Sequence, residues 1–232
     1  MRSKYKILLI TIVLIFIFMF IYLNDFYKAS DNINNYLKDS EEVKVIKNKN
    51  GYLFDGPGNE NILVFYPGGK VEYTSYALLM NNLSKEGIDT FIVEMPFNLA
   101  FFKMNAIKDI KKDYDYESWY LGGHSLGGVV AASDTNNNDI KGLILLASYS
   151  TKKVECKTLS IYGSNDNVLN LDKYQENKKN IINMKEVIIE GGNHANFANY
   201  GNQKHDKKAT ITRSKQQEIT IEEILMFIKK EN

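Results

Sequence analysis

Cysteine and histidine are scarce in this chain. The sequence contains one cysteine, Cys156, and three histidines among 232 residues. A single cysteine excludes an intramolecular disulfide and any metal site built from several thiolates. With so few histidines we expect no metal centre, and we expect no cofactor.

The chain also lacks an excess of charge of either sign. It has 29 Lys and Arg against 28 Asp and Glu, which gives a formal net charge of +1. A nucleic-acid binder usually presents a basic field or stripe, so this class of protein is not indicated. The length fits one globular domain with short appendages.

One long apolar run stands out at the N-terminus. Residues 7–23 are apolar with mild interruptions, and this length is at the lower end of what crosses a bilayer core of about 30 Å. The run is preceded by the basic residues Arg2, Lys4 and Lys6 and followed by Asp25, Lys28 and Asp31. This asymmetry predicts a cytoplasmic segment over residues 1–6, a single-pass cell-membrane anchor over 7–23 and a domain outside the cytoplasm.

A cleaved signal peptide is the alternative interpretation of the same run. Its apolar region is usually shorter and ends in small residues at the cleavage site. Here the run ends in bulky side chains, and Ala29 and Ser30 form only a weak candidate site. Cleavage would give a secreted protein.

The rest of the chain alternates between strand and helix patterns. We predict a polar stalk over residues 24–40 and one domain over 41–232. The predicted strands are 43–46, 52–55, 62–66, 89–93, 118–122, 142–147, 158–162 and 187–190. The predicted helices are 72–86, 98–111, 125–133, 171–180 and 216–230. Such alternation is typical of an α/β fold with a mostly parallel sheet covered on both faces, a three-layer sandwich.

A strand-to-helix turn carries the clearest chemical motif. Gly123, Ser125 and Gly127 form the pattern Gly-x-Ser-x-Gly between a predicted strand and a predicted helix. A nucleophilic serine on such a sharp turn needs small neighbours two positions away on either side. Ser125 is therefore the candidate nucleophile, and an idle serine in a glycine-rich turn is the alternative.

A serine hydroxyl needs a base, and in this arrangement the acid and then the histidine follow the serine along the chain. Asp166 and His194 each come just after a predicted strand, so we expect both at the same edge of the sheet. Asp172 is the reserve acid, although it is better placed to begin a helix. His124 is expected to pack or hydrogen-bond locally, and His205 is expected to be a solvated surface side chain.

Further candidates complete the predicted site. The amide of Leu126 and an amide of the loop after strand 62–66, Gly69 first and Lys70 second, are expected to form an oxyanion hole. Phe97 and Phe101 are candidates to line an acyl pocket, or else to pack a helix on the sheet. The Lys70 side chain is a candidate anchor for an anionic substrate group. The interval between strands 142–147 and 158–162 is too short for a helical lid.

Four segments make the chain recognisable. They are Tyr-Pro-Gly-Gly-Lys-Val at 66–71, Met-Pro-Phe-Asn-Leu-Ala at 95–100, Gly-Gly-His-Ser-Leu-Gly-Gly at 122–128 and Gly-Gly-Asn-His-Ala at 191–195. Over roughly residues 43–230 the sequence resembles the α/β-hydrolase superfamily, and within it the small bacterial "alpha/beta hydrolase 5" type related to dienelactone hydrolases. The resemblance implies a serine hydrolase with its triad at Ser125, Asp166 and His194. Dienelactone hydrolases proper use cysteine as the nucleophile, so their substrate is not carried over.

These observations favour a serine hydrolase of a carboxylic ester, acting on a small-molecule or lipid-like substrate through an acyl-enzyme. An acyltransferase that uses the same acyl-enzyme, or a non-catalytic envelope binding protein on the same scaffold, are the alternatives.

Overall fold

The computed structural model describes residues 2–229, so Met1 and residues 230–232 of the predicted terminal segments lie outside it. The helices are α1 (Arg2–Asn24), α2 (Ala77–Lys85), α3 (Ala106–Asp113), α4 (Leu126–Asp134), α5 (Leu171–Asn177) and α6 (Arg213–Lys229). The strands are β1 (Lys44–Asn48), β2 (Gly51–Asp55), β3 (Asn61–Tyr66), β4 (Asp89–Val93), β5 (Ser118–His124), β6 (Gly142–Leu146), β7 (Lys157–Gly163) and β8 (Met184–Ile189).

The strands form one eight-stranded sheet in the order β1-β2-β4-β3-β5-β6-β7-β8. Every pairing from β4 through β8 is parallel, whereas β1 and β2 form an antiparallel hairpin on the edge next to β4. The predicted mostly parallel sheet is confirmed. Its parallel strands all point their carboxyl ends at one edge, which we call the catalytic edge.

Two apolar cores lie on opposite faces of this sheet. In β3, Leu63 and Phe65 belong to the core shared with α2 and α6, while Ile62 and Val64 belong to the core shared with α3 and α4. Neighbouring side chains of a strand point to opposite faces, so a continuous apolar run satisfies both cores at once. The result is the predicted three-layer sandwich.

The predicted helix over residues 98–111 is wrong in its first half. Phe97, Asn98 and Asn105 have φ angles of 55°, 54° and 60°. A right-handed helix cannot pass through a left-handed residue, so residues 96–103 form two short 3₁₀ turns and α3 begins only at Ala106. No helix lies between β6 and β7 in this described part of the chain, as expected for a fold without a lid there.

The predicted polar stalk over residues 24–40 also differs from the structure. Tyr27 forms a parallel β-bridge with Val71, and Ile33 is 2% exposed within a 3₁₀ helix over Asp31–Leu37. Tyr36 and Leu37 pack against the same core as Ile33. Three apolar side chains at helical spacing give this otherwise polar segment a face that can be buried, so the folded domain begins near Tyr27.

Helix α1 has no contact with either core. Its stretch Lys4–Asn24 has a mean hydropathy of 2.8 and is not buried. Length and composition allow this helix to cross a membrane, and a signal sequence near an N-terminus has the same properties.

Candidate active site

Ser125 occupies a strained turn between β5 and α4. Its φ of 50° and ψ of −122° are unusual for a residue with a side chain. The Ser125 amide donates to the Leu146 carbonyl at 2.9 Å, and the Ser148 hydroxyl donates to the Ser125 carbonyl at 2.7 Å. These two bonds to the neighbouring strand end hold the turn in place.

The two glycines of the motif are required by close backbone contacts. A Cβ at Gly127 would lie 2.1 Å from the Tyr66 carbonyl oxygen, and a Cβ at Gly123 would lie 2.6 Å from the Gly127 carbonyl carbon. Both distances are far below contact distance and both involve backbone that cannot easily move. The sequence pattern therefore has a direct steric cause.

Asp166 and His194 form a buried pair at the catalytic edge. Asp166 Oδ2 lies 2.8 Å from His194 Nδ1, and the two side chains are 0% and 1% exposed. Asp166 Oδ1 accepts from the amides of Val168 and Leu169 at 2.9 and 2.8 Å. An ionised carboxylate only accepts hydrogen bonds, so Nδ1 carries the proton of a neutral His194 ring and Nε2 carries the lone pair.

The remaining ring nitrogen of His194 is free to act as a base. Nε2 is buried and has no hydrogen-bond partner among residues 2–229. The ring of His124, the sequence neighbour of Ser125, lies 4.4 Å, centroid to centroid, from the His194 ring. The structure thus pairs the predicted acid with the predicted histidine, and the residue that precedes the predicted serine packs against that histidine. Asp172, the reserve acid, lies in the first turn of α5 instead.

Two residues that sequence patterns missed hold the loops of this pair. Gln216 of α6 accepts from the Asn193 amide at 3.0 Å and donates to the Asn193 carbonyl at 2.8 Å. Asp206 accepts from the amides of Ala195 at 2.9 Å and Asn167 at 3.3 Å, and so connects the histidine loop to the acid loop. Asp206 belongs to no motif, and Gln216 is a polar position at the start of the predicted helix 216–230, so the sequence contained no signal for these bonds.

Gly69 and Leu126, the residues predicted to form the oxyanion hole, lie next to one another. A Cβ at Gly69 would come within 2.8 Å of the Leu126 side chain, so the loop after β3 touches the residue after the serine. Leu126 is the first residue of α4, where a helix amide has no intrahelical acceptor. In the loop, Gly68 donates to the Tyr76 hydroxyl at 3.0 Å and Lys70 donates to the Asn98 carbonyl at 2.7 Å. Gly69 is therefore the better-placed donor of the two predicted ones.

His124 is buried and takes part in a contact that reaches beyond its local turn. Its Nδ1 lies 2.8 Å from the Tyr76 hydroxyl, which also accepts from Gly68 in the oxyanion loop. Burial lowers the pKa of His124 well below its ordinary value, and the adjacent His194 lowers it further. The imidazole of His124 is accordingly neutral, and it connects the base to the oxyanion loop. His205 is exposed, as expected.

A small cleft opens beside the serine. It has a volume of about 210 Å³, and it lies between the start of α4 and the loops after β6 and β7. Its lining residues are Ser125, Leu126, Val129, Ala147, Ser148, Tyr149, Val168, Leu169 and Asn170. This lining is mostly apolar.

The predicted substrate-binding side chains lie elsewhere. Phe97 lines a separate depression with Lys103 and Glu94, and Phe101 is 56% exposed on the same loop. Lys70 Nζ lies 3.6 Å from Asp25 Oδ2. None of the three contributes to the cleft at Ser125. Among residues 2–229, no group of three His, Cys, Asp or Glu side chains is arranged to hold a metal ion.

Comparison with known proteins gives a consistent family. The model of the alpha/beta hydrolase family matches residues 62–218. No curated protein sequence matches the chain significantly.

Similar solved structures share the fold at low sequence identity. A CIB-like hydrolase from Thermoplasma acidophilum is 18% identical with a TM-score of 0.56, and the match covers 79% of this chain and 97% of that one. Alpha/beta hydrolase domain-containing protein 10 from mouse is 12% identical with a TM-score of 0.59, covering 82% and 99%. A lipase from Acinetobacter baumannii is 14% identical with a TM-score of 0.59, covering 86% and 94%.

Proposed function

This chain belongs to the alpha/beta hydrolase family, and on that basis we propose that it is a serine hydrolase which cleaves a carboxylic ester. The observation that carries the proposal is the buried His194–Asp166 pair, whose Nε2 has no partner among the described residues. The strained backbone of Ser125 supports it. A serine without a catalytic role does not require a positive φ in a chain that also has a buried histidine oriented by a carboxylate. Solved relatives described as an esterase and as a lipase support the choice of an ester.

The first half of the reaction forms an acyl-enzyme. His194 Nε2 takes the proton of Ser125 Oγ as this oxygen attacks the ester carbonyl carbon. The Gly69 and Leu126 amides donate to the resulting oxyanion, which is the charge that develops in the transition state. When the C–O bond breaks, His194 returns the proton to the leaving alcohol.

The second half reverses these roles with water. His194 removes a proton from a water molecule as the water oxygen attacks the acyl carbon. When the bond from that carbon to Ser125 Oγ breaks and the acid leaves, His194 returns the proton to Ser125 Oγ. Asp166 stays ionised throughout and stabilises the imidazolium form of His194 through Nδ1. Its second oxygen is occupied by two backbone amides, which fixes the direction of the carboxylate.

The proposed location rests on α1. The proposal includes an uncleaved, single-pass anchor with the N-terminus in the cytoplasm and the hydrolase domain on the other side of the cell membrane. The support is an exposed apolar helix of sufficient length, in which Lys4 and Lys6 precede the apolar run over residues 7–23. A mature N-terminus beyond residue 24, read by mass spectrometry, would contradict the anchor.

Covalent labelling with a fluorophosphonate probe tests the proposal. We expect the full chain in detergent to be labelled, and Ser125→Ala and His194→Ala to lose the label while they remain folded by circular dichroism. Ser133→Ala is the matched control, because its hydroxyl only donates to the Val129 carbonyl within α4. A folded wild type that takes no label would contradict an activated serine.

A further inference from the structure

The loop after β4 exposes an unusual amount of apolar surface. Within residues 96–104, which we call the aromatic loop, four large apolar side chains point into solvent. Phe97, Phe101, Phe102 and Met104 are 55%, 56%, 59% and 46% exposed. Clustered exposed apolar residues mark a contact surface for a protein or a membrane.

The backbone of this loop holds the rings outward. Phe97 has a left-handed conformation, which is costly for a bulky residue, and its ring makes an edge contact with that of Phe102 at 5.6 Å between centroids. The Asn98 carbonyl accepts from the Lys70 amide, and the Asn98 amide donates to the Met95 carbonyl at 3.0 Å. The exposure is thus a feature of a fixed turn.

The aromatic loop lies next to the end of α1. Lys70 connects the two: its amide binds the Asn98 carbonyl at 2.7 Å, and its carbonyl accepts from the Tyr27 amide at 2.8 Å. Its ammonium group lies 3.9 Å from the centroid of the Tyr22 ring in the last turns of α1. One residue therefore touches both the aromatic loop and the apolar helix.

The same arrangement places the catalytic edge beside that helix end. The aromatic loop follows the carboxyl end of β4, and Lys70 follows the carboxyl end of β3, next to Gly69 of the oxyanion loop. If α1 spans a bilayer, its end on the domain side marks the membrane surface. The aromatic loop and the Ser125 cleft then lie at that surface.

We propose that the aromatic loop inserts into the boundary between headgroups and acyl chains beside α1, so that the catalytic edge faces the bilayer and the ester substrate is drawn from the lipid phase. The membrane is the partner that covers the exposed apolar surface, because Lys70 connects the aromatic loop to Tyr22 and Tyr27, where the chain passes from α1 into the domain. Aromatic side chains favour this boundary. The inference rests on the proposed function and on an uncleaved α1.

Depth-dependent quenching tests the position of the loop. In the full chain with Cys156→Ser, a nitrobenzoxadiazole dye is attached at Phe102→Cys or at the control Ile182→Cys. Ile182 is also exposed, at 67%, but it precedes β8 and so lies at the opposite edge of the sheet. The proteins are placed in vesicles of phosphatidylcholine and phosphatidylglycerol with and without doxyl-labelled lipid.

We expect the doxyl lipid to quench the Phe102→Cys dye by about half or more and to leave the Ile182→Cys dye nearly unchanged, since the quencher acts only near its own depth. Equal quenching at both sites, or none at Phe102→Cys, overturns the proposal. If the fluorescence of the dye at Phe102→Cys changes with the amount of protein per vesicle and not with the doxyl-lipid content, a second copy of the chain covers the loop. That result also overturns the proposal.

Two ester substrates test the consequence for catalysis. For Phe102→Ser/Met104→Ser we expect hydrolysis of a long-chain ester embedded in vesicles to fall about tenfold or more, from the lost apolar insertion. Hydrolysis of a water-soluble acetate ester should stay within about twofold. An equal loss on both esters, or no loss on either, contradicts the proposal.

Fluorophosphonate labelling of the same preparations distinguishes a failure of the proposed serine hydrolase activity from a failure of membrane docking. Labelling shows that Ser125 is active whatever the position of the loop. An unlabelled wild type whose Phe102→Cys dye is quenched would refute the proposed function and leave membrane docking in place.

Discussion

The rings of His124 and His194 lie 4.4 Å apart, centroid to centroid, in a site where only one of them can be the base. His194 has the carboxylate partner, whereas His124 is paired with the neutral Tyr76 hydroxyl. Because burial lowers the pKa of His124, this ring remains uncharged. In the proposed reaction, a positive charge would therefore form on His194 alone.

The depressed pKa of His124 predicts a pH dependence of stability. Below about pH 6.5 the unfolded chain binds a proton at this residue and the folded chain does not. The free energy of unfolding should therefore be highest above this pH and fall as the pH drops, by at most about 1.4 kcal/mol per pH unit for this one group. Urea unfolding of the full chain in detergent between pH 5 and 8 measures it.

The variant His124→Asn should reduce that slope, because asparagine does not titrate. His205→Ala is the control, since His205 is an exposed histidine outside the site, and it should leave the slope unchanged. A wild-type slope that His124→Asn leaves intact would assign the pH dependence to other groups.

We expect Asp166→Asn to lower kcat by about three to four orders of magnitude. The two amides of Val168 and Leu169 bind one carboxylate oxygen, so the asparagine carbonyl stays there and its NH₂ group faces Nδ1. The ring then presents a proton at Nε2 and cannot act as a base. Turnover of a soluble ester measures the effect, with Asp172→Asn as a carboxylate control that should remain within about twofold of wild type. Comparable losses in both variants would reopen the choice of acid.

Removing the Asp206 carboxylate should loosen the acid and histidine loops together. Asp206→Ala loses the bonds to the Ala195 and Asn167 amides. We expect kcat to fall about tenfold or more through misplacement of the base, with little change in KM, and unfolding to become easier by about 1–2 kcal/mol. Lys207→Ala, an exposed neighbour, is the control. A change in KM alone would indicate contact with substrate instead of positioning.

The Lys70 side chain should have no effect on the choice between anionic and neutral esters. Its ammonium group is engaged by Tyr22 and Asp25, so Lys70→Ala should change the ratio of kcat/KM values for the two esters by less than about twofold. Paired succinyl and butyryl esters of one fluorophore measure this ratio. A selective loss on the anionic ester would return Lys70 to the role of substrate anchor.

Local patterns were sufficient for the sheet and for the pairing of Asp166 with His194. Strands buried on both faces are continuous apolar runs, as in β4 and β6, and the Ser125 turn has a steric need for glycine that is visible in sequence. Asp166 and His194 were found because both follow strand ends, and parallel strands bring such positions to one edge.

The parts that sequence analysis missed depend on contacts between distant residues. Asp206 and Gln216 act through backbone amides of other loops, and such bonds have no periodicity. The left-handed turn at Phe97 cannot be inferred from a residue type that rarely adopts it. Segment 24–40 is polar in composition, so its sequence predicts a stalk. Its place in the domain depends on the burial of Ile33 and its neighbours against the core, which is visible only in the folded structure.

The bridge between Tyr27 and Val71 leaves only Asp25 and Phe26 between the end of α1 and the domain. A connection this short spans about 10 Å at full extension, so an anchored domain could neither tumble freely nor lift its catalytic edge far from the surface. Its encounters with substrate would then be a two-dimensional search, and the rate would follow the number of ester molecules per unit area of membrane, not their concentration in the surrounding water.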